Sequence, residues 1–297
     1  MTTTTGSRHS TTADARTTGL AWLATLALSS LPMIVLHRTV GLDPAAVSGW
    51  LLTAAVPVAV TARRWAPARP LRPYLLVLLP VFCVAYVLPP VLAVLPPADG
   101  SPLVRALVSK AAFLLLAAAV AAVVVVGLRV TPAQAYLTAG AMAAPSGRRL
   151  PGMTRPLSWA VLGTAITVAF LVAFGVPTWL ETGLGTELFP RVAPVLPLVI
   201  GAAALNSLAE EVIYRAAPLA ALAPAVGPRQ AVLLTSVWFG LAHYFGSVPE
   251  GAAGVVASGV LGLLLGTTMT ATRGIGWPWL IHFTVDLVVF ASIGAAP

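Results

Sequence analysis

The sequence predicts an all-α fold, a polytopic transmembrane helix bundle of about eight or nine helices. Three observations predict it. Of the 297 residues 58% are hydrophobic and only 9% are charged, against roughly 25% charged in a soluble domain. Runs with few or no charges recur at 17–37, 44–62, 73–98, 111–128, 156–180, 192–209, 230–249, 251–272 and 274–285. Each is near the ~20 residues a helix needs to cross a bilayer. Finally, the basic residues fall on alternate sides of those runs. With an inside N-terminus and nine alternating helices, the tail and inner loops hold twelve arginines with Arg215 close by, and the outer side holds only Arg38, Arg105, Lys110 and Arg191. That asymmetry is the positive-inside bias that sets orientation.

Taken in order, residues 1–17 are rich in Thr and Ser and read as a disordered cytoplasmic tail. Segment 18–128 supplies N-terminal accessory transmembrane helices, broken by the Arg/Pro-rich loop 63–73; Pro80, Pro89 and Pro90 kink or interrupt the run 73–98. The first run lacks a small-residue cleavage signal and reads as a retained helix. Segment 129–155, punctuated by Gly140, Pro145, Gly147, Pro151 and Gly152, reads as a cytoplasmic loop with a short surface helix at 132–144. Segment 156–297 is the C-terminal core. Cys83 is the single cysteine, which excludes an internal disulfide and a cysteine metal cluster. The net charge of +8 is topological, and no aromatic residues interleave with the arginines as nucleic-acid binding would require. The expected partner is the lipid bilayer, as a multi-pass protein of the plasma membrane.

Function concentrates in the last hundred residues. Glu210 and Glu211 follow eighteen residues (192–209) without a charge. A carboxylate at membrane depth costs at least ~2.5–3.5 kcal/mol and marks a functional site by default. Glu211 and Arg215 share a helix face at (i, i+4) and can pair, whereas Glu210 is turned toward something else. Phe239 and His243 repeat the spacing, as do His282 and Asp286. Asn206, one turn before Glu210, can hydrogen-bond into the same space. Counting residues from helix ends places Glu210 and His243 at matching depths and His282 and Asp286 nearer the cytoplasmic mouth.

These motifs, Glu-Glu-x-x-x-Arg, Phe-x-x-x-His and His-x-x-x-Asp in that order, resemble the CAAX prenyl proteases and bacteriocin-processing enzymes, the intramembrane glutamic endopeptidases. The resemblance covers about 190–297. It implies a catalytic core of four helices that hydrolyses membrane-associated, prenylated or leader peptides with a glutamate-activated water. It implies that Glu210 is the general base, that His243 helps hold the water, and that His282 and Asp286 stabilise the oxyanion. Glu211 and Arg215 would be a structural pair, with Phe239 packed beneath His243. The best-described members end the last motif in Asn; Asp286 donates only if protonated, or orients His282, or binds a cation.

Other readings use the same residues. His243 can be a core histidine donating to a backbone carbonyl, His282 and Asp286 can simply bond each other, and Trp277 and Trp279 can form an interfacial belt. Two histidines and several carboxylates could supply zinc ligands, but there is no His-Glu-x-x-His, and the expectation is a reaction without a cofactor. A transporter could use Glu, His and Asp as an ion relay, although no internal repeat is visible. A non-catalytic immunity or scaffold protein has no need of unpaired acids in lipid.

Overall fold

The computed structural model describes residues 14–43, 60, 64–82, 102–147, 154, 156–181, 188–245 and 249–295. Among them there is no strand, only helices, turns and one isolated bridge between Pro145 and Ser158. The chain is all-α. Among the described residues five helices are long and apolar enough to cross a membrane, and a bent pair makes up to six.

That pair is α1 (Ala15–Ala27) and α2 (Leu31–Val40), set 54° apart. The Asp14 carboxylate accepts from the backbone N–H of Arg16 and caps α1, so the helix starts inside the segment expected to be a tail. Pro32 in the first turn of α2 suits a helix start, where its missing N–H costs nothing. After a 3₁₀ turn (Ala66–Leu71), α3 covers 72–82 and continues through Pro80. Most of the runs 44–62 and 73–98, with Cys83, lies outside the described residues. Next come α4 (Pro102–Ala122), which ends in a π turn (Val123–Gly127), and α5 (Trp159–Glu181). The C-terminal part consists of α6 (Leu188–Val192), α7 (Leu196–Glu211), a π turn (Val212–Ala216), α8 (Ala217–Val226), α9 (Pro228–Ala242), α10 (Gly251–Thr272) and α11 (Gly276–Ala295).

Two apolar clusters fix how these rods lie. Leu103 of α4 packs with Val199, Ala202 and Ala203 of α7 and Phe290 of α11. Further along, Ala117 and Val120 of α4 pack with Ala209 and Ile213. Both chains therefore advance in the same direction, and α4 is parallel to α7. Gly294 of α11 lies against Val195 and Val199 while Asp286 lies against Asn206, so α11 runs antiparallel to α7. Between the two clusters, α7 and α11 carry Asn206, Ser207, Glu210, His282 and Asp286, all buried. A polar layer splits the core.

Two sequence expectations fail here. Residues 132–144 form turns, not a surface helix. Their backbone polar groups are satisfied instead by the α10–α11 turn: Ala141 N–H donates to Thr272 O (2.7 Å), Ile275 N–H to Thr138 O (2.9 Å) and Gly276 N–H to Ala139 O (3.2 Å). Gly140, at φ +76°, is pressed so closely that a Cβ there would lie 2.6 Å from Thr272 O. The Trp277 indole donates to Met142 O at 2.9 Å, and Trp279 donates to Ala204 O at 3.3 Å. Both pin one segment to another. The run 230–249 is likewise no full span. Its helix α9 stops at Ala242, with His243 as its cap, so α9 is about 22 Å long at 1.5 Å per residue. It is held to α10 where Gly240 lets the backbones meet; a Cβ there would lie 2.5 Å from Val255 O.

Candidate active site

The layer is built on α7. Residues 190–226 continue as a single helical rod, passing from α7 through the π turn into α8. Pro218 has no N–H to offer the carbonyl of Tyr214, and its ring would clash with that carbonyl in a regular helix. The π turn Val212–Ala216 lies at this point and absorbs the mismatch, as membrane helices do with local π adjustments. Just before it, Glu210 and Glu211 leave the regular helix in different directions.

Glu211 faces inward and is fully buried. Its Oε1 accepts from Arg215 Nη1 and also lies 2.7 Å from His282 Nδ1. A carboxylate can only accept here, so Nδ1 of His282 carries a proton. The Arg215 guanidinium, 1% exposed, stacks 4.0 Å above the Phe239 ring, a cation–π contact. Phe239 also lies edge-on to His243 and His282, with ring centroids 4.3 and 5.8 Å away. It is a platform for both imidazoles and the guanidinium.

Glu210 faces the histidines. Its Oε2 is 3.8 Å from His243 Nε2 and 3.5 Å from His282 Nε2. His243 Nδ1 donates to Phe239 O at 2.8 Å, which turns Nε2 toward Glu210. The carbonyl contact anticipated for a mere core histidine is thus what aims the ring. One turn earlier on α7, Asn206 Nδ2 donates to Asp286 Oδ2 at 2.9 Å, while Asp286 Oδ1 is 3.8 Å from His282 Nε2. Glu210 Oε2, Asn206 Oδ1 and Glu211 Oε2 are buried with no hydrogen-bond partner among the described residues. A buried unsatisfied oxygen costs about 1–3 kcal/mol, more when charged.

The structure therefore brings Asn206, Glu210, Glu211, Arg215, Phe239, His243, His282 and Asp286 into one cluster. Residue counting had set His282 and Asp286 shallower than Glu210, because it assumed that all helices start in one plane. Glu210 is sixteen residues from the end of α8, about 24 Å, whereas His282 is six from the start of α11, about 9 Å. The two side chains nevertheless meet, so the α8 end projects about 15 Å beyond the start of α11. The 37-residue rod Pro190–Val226 exceeds the ~30 Å hydrocarbon core and has length to spare.

Two residues escaped the sequence reading. Lys110, counted among the outer charges, lies on the α4 stripe with Leu103, Leu107 and Ala117, between the two apolar clusters and level with the polar layer. Its charge acts on both Glu210 and Asp286. The seven- and three-residue spacing from Leu103 and Leu107 was the available signal. Tyr214, four residues after Glu210, stacks edge-on against Trp238 and Phe239 at 5.0 and 5.4 Å and walls the same space. Glu211 also does more than expected, since it holds His282 as well as Arg215. Among the described residues, no group of three or more His, Cys, Asp or Glu side chains is arranged to hold a metal ion.

Residues 192–288 match the family model described as type II CAAX prenyl endopeptidase Rce1-like. Over this stretch the chain is similar to Rce1-like domains. The match begins at the foot of α7 and ends just past Asp286, so it takes in the whole polar cluster except Lys110. Rce1-like domains are those of an intramembrane protease family. With five helices among the described residues long and apolar enough to span a bilayer, the chain is a multi-pass membrane protein. The strap 138–142 and α4, which buttress the matched region, lie outside the match. No curated protein and no solved structure matches the chain.

Proposed function

We propose that the protein is an intramembrane glutamic endopeptidase in which Glu210 activates water for attack on a peptide bond. The observation that carries this reading is the Glu210 carboxylate, buried at membrane depth with an unpartnered Oε2 flanked by the Nε2 atoms of His243 and His282. Separations of 3.5 and 3.8 Å are too long for direct hydrogen bonds and suit three groups converging on a shared oxygen.

Glu210 takes a proton from that water as its oxygen attacks the scissile carbonyl, and the new oxyanion is met by donors on the His282 side. Glu210 then returns the proton to the departing amine, so the carboxylate is regenerated and no covalent enzyme intermediate forms. His243 Nε2, with Nδ1 committed to Phe239 O, accepts from the water and orients it. Glu211, Arg215 and Phe239 hold His282 and His243 in place. Substrates of this reading are membrane-associated peptides, prenylated or leader-type, presented from the bilayer, with no cofactor.

The test is cleavage in proteoliposomes in ¹⁸O-water, using a set of prenylated and unprenylated peptides. Wild type should place a single ¹⁸O in each new carboxylate, and Glu210→Gln should yield no product while melting like wild type. Absence of cleavage of every peptide, together with ion flux that Glu210→Gln abolishes, would favour a transporter.

A further inference from the structure

Asp286 poses a chemical problem for the hydrolytic reading. A developing oxyanion needs N–H or O–H donors preorganised around it, and an ionised carboxylate has none to give. The structure places an amide beside it, from the opposite helix. Asn206 lies one turn before Glu210 on the same face of α7, and its Nδ2 donates to Asp286 Oδ2 at 2.9 Å. The two residues are 6% and 7% exposed. An acceptor-only partner fixes which end of the amide faces it, so the NH₂ group points at Asp286. An amide nitrogen has two hydrogens, and this bond uses one. Asn206 Oδ1 is also buried without a partner, so the carboxamide is not saturated by the fold.

We infer that Asn206 is a catalytic residue whose second Nδ2–H is the oxyanion donor, held in direction by the Nδ2–Asp286 Oδ2 bond. Asp286 is then a positioning residue that acts through Asn206 and through its Oδ1, which faces His282 Nε2 at 3.8 Å. The charged groups around the pair are His282 on α11, Glu210 on α7 and Lys110 on α4. The inference rests on the hydrolytic reading above, and it adds a donor on α7, beside the base, to the donors on the His282 side.

Four variants test it on a peptide that wild type cleaves, with thermal melting followed in parallel: Asn206→Ala, Asn206→Asp, Asp286→Ala and the inverted pair Asn206→Asp/Asp286→Asn. Both Asn206 variants should lose about 10²–10³ in kcat with KM little changed, as for removal of an oxyanion-hole donor. Asp286→Ala leaves the amide present but loosely held and should lose clearly less than Asn206→Ala. The inverted pair restores an amide with a carboxylate partner and should regain at least about tenfold over Asn206→Asp. A merely structural Asn206 would lower melting and kcat in step and would not place Asp286→Ala above Asn206→Ala in activity. The inference is overturned if Asn206→Ala keeps kcat near wild type, or if Asp286→Ala costs more than Asn206→Ala. If Glu210→Gln is inactive in the same assay, such a result removes only the role of Asn206; a Glu210→Gln variant that still cleaves removes the hydrolytic reading as well.

Discussion

Glu210 and Glu211 are neighbours in sequence, and substitution should separate them by stability as sharply as by activity. Glu211 is fully buried, and its Oε1 serves both Arg215 and His282. Glu211→Gln leaves the Arg215 guanidinium in the interior without a counter-charge beside it. Removing one partner of a buried pair costs about 3–5 kcal/mol, and loss of a charge-assisted bond to His282 adds to this. An amide oxygen still accepts one hydrogen bond, so the lower end of that range is expected, ~3 kcal/mol. For a chain of this size that corresponds to a fall of roughly 5–10 °C in melting temperature. Glu210→Gln removes a carboxylate whose Oε2 has no partner, so melting should stay level or rise. Purified variants in detergent, melted with an intrinsic-fluorescence or thiol-independent dye readout, make the comparison. If Glu210→Gln falls as far as Glu211→Gln, the division between a holding and a reacting glutamate is wrong.

Other expectations follow from the supporting residues. Gly140→Ala forces a Cβ to within 2.6 Å of Thr272 O at φ +76°; it should displace the start of α11 and lower both melting temperature and peptide cleavage, and unchanged values would show that the strap does not position His282. Lys110→Met removes a cation that acts on Glu210 and Asp286, and should cost cleavage about tenfold or more, ~1.4 kcal/mol, with Lys110→Arg recovering part; equal activity in both variants would exclude Lys110 from the site. Reporter fusions after Arg72 and Arg155 should both report cytoplasm, and an external signal at either would overturn the charge-based orientation.

The polar residues of the cluster were legible because an ionisable side chain in an apolar run has few other reasons to be there. Spacing of four gave the Glu211–Arg215 face directly, since that pairing is local to one helix. What spacing could not give was the level of one helix against another. His282 was placed too shallow because the projection of α8 depends on packing, and on the length of a rod whose π turn is set by Pro218. Segment 132–144 was misread because its backbone bonds go to Thr272, Ile275 and Gly276, some 130 residues away, and no local pattern records them. Lys110 was missed for a related reason: a charge tally assigns a residue to a side of the membrane, and only the alignment of α4 with α7 shows what it lies beside.

The central claim is that Glu210, rather than a metal ion or a covalent nucleophile, activates the water. The most direct measurement is peptide cleavage by purified, chelator-dialysed protein, wild type beside Glu210→Gln, with and without added zinc. The account predicts that wild type cleaves at an undiminished rate after chelation, that zinc adds nothing, and that Glu210→Gln is inactive under every condition. Activity lost on chelation and restored by zinc would make His243, His282 and a carboxylate ligands instead, and cleavage by Glu210→Gln would contradict the account outright.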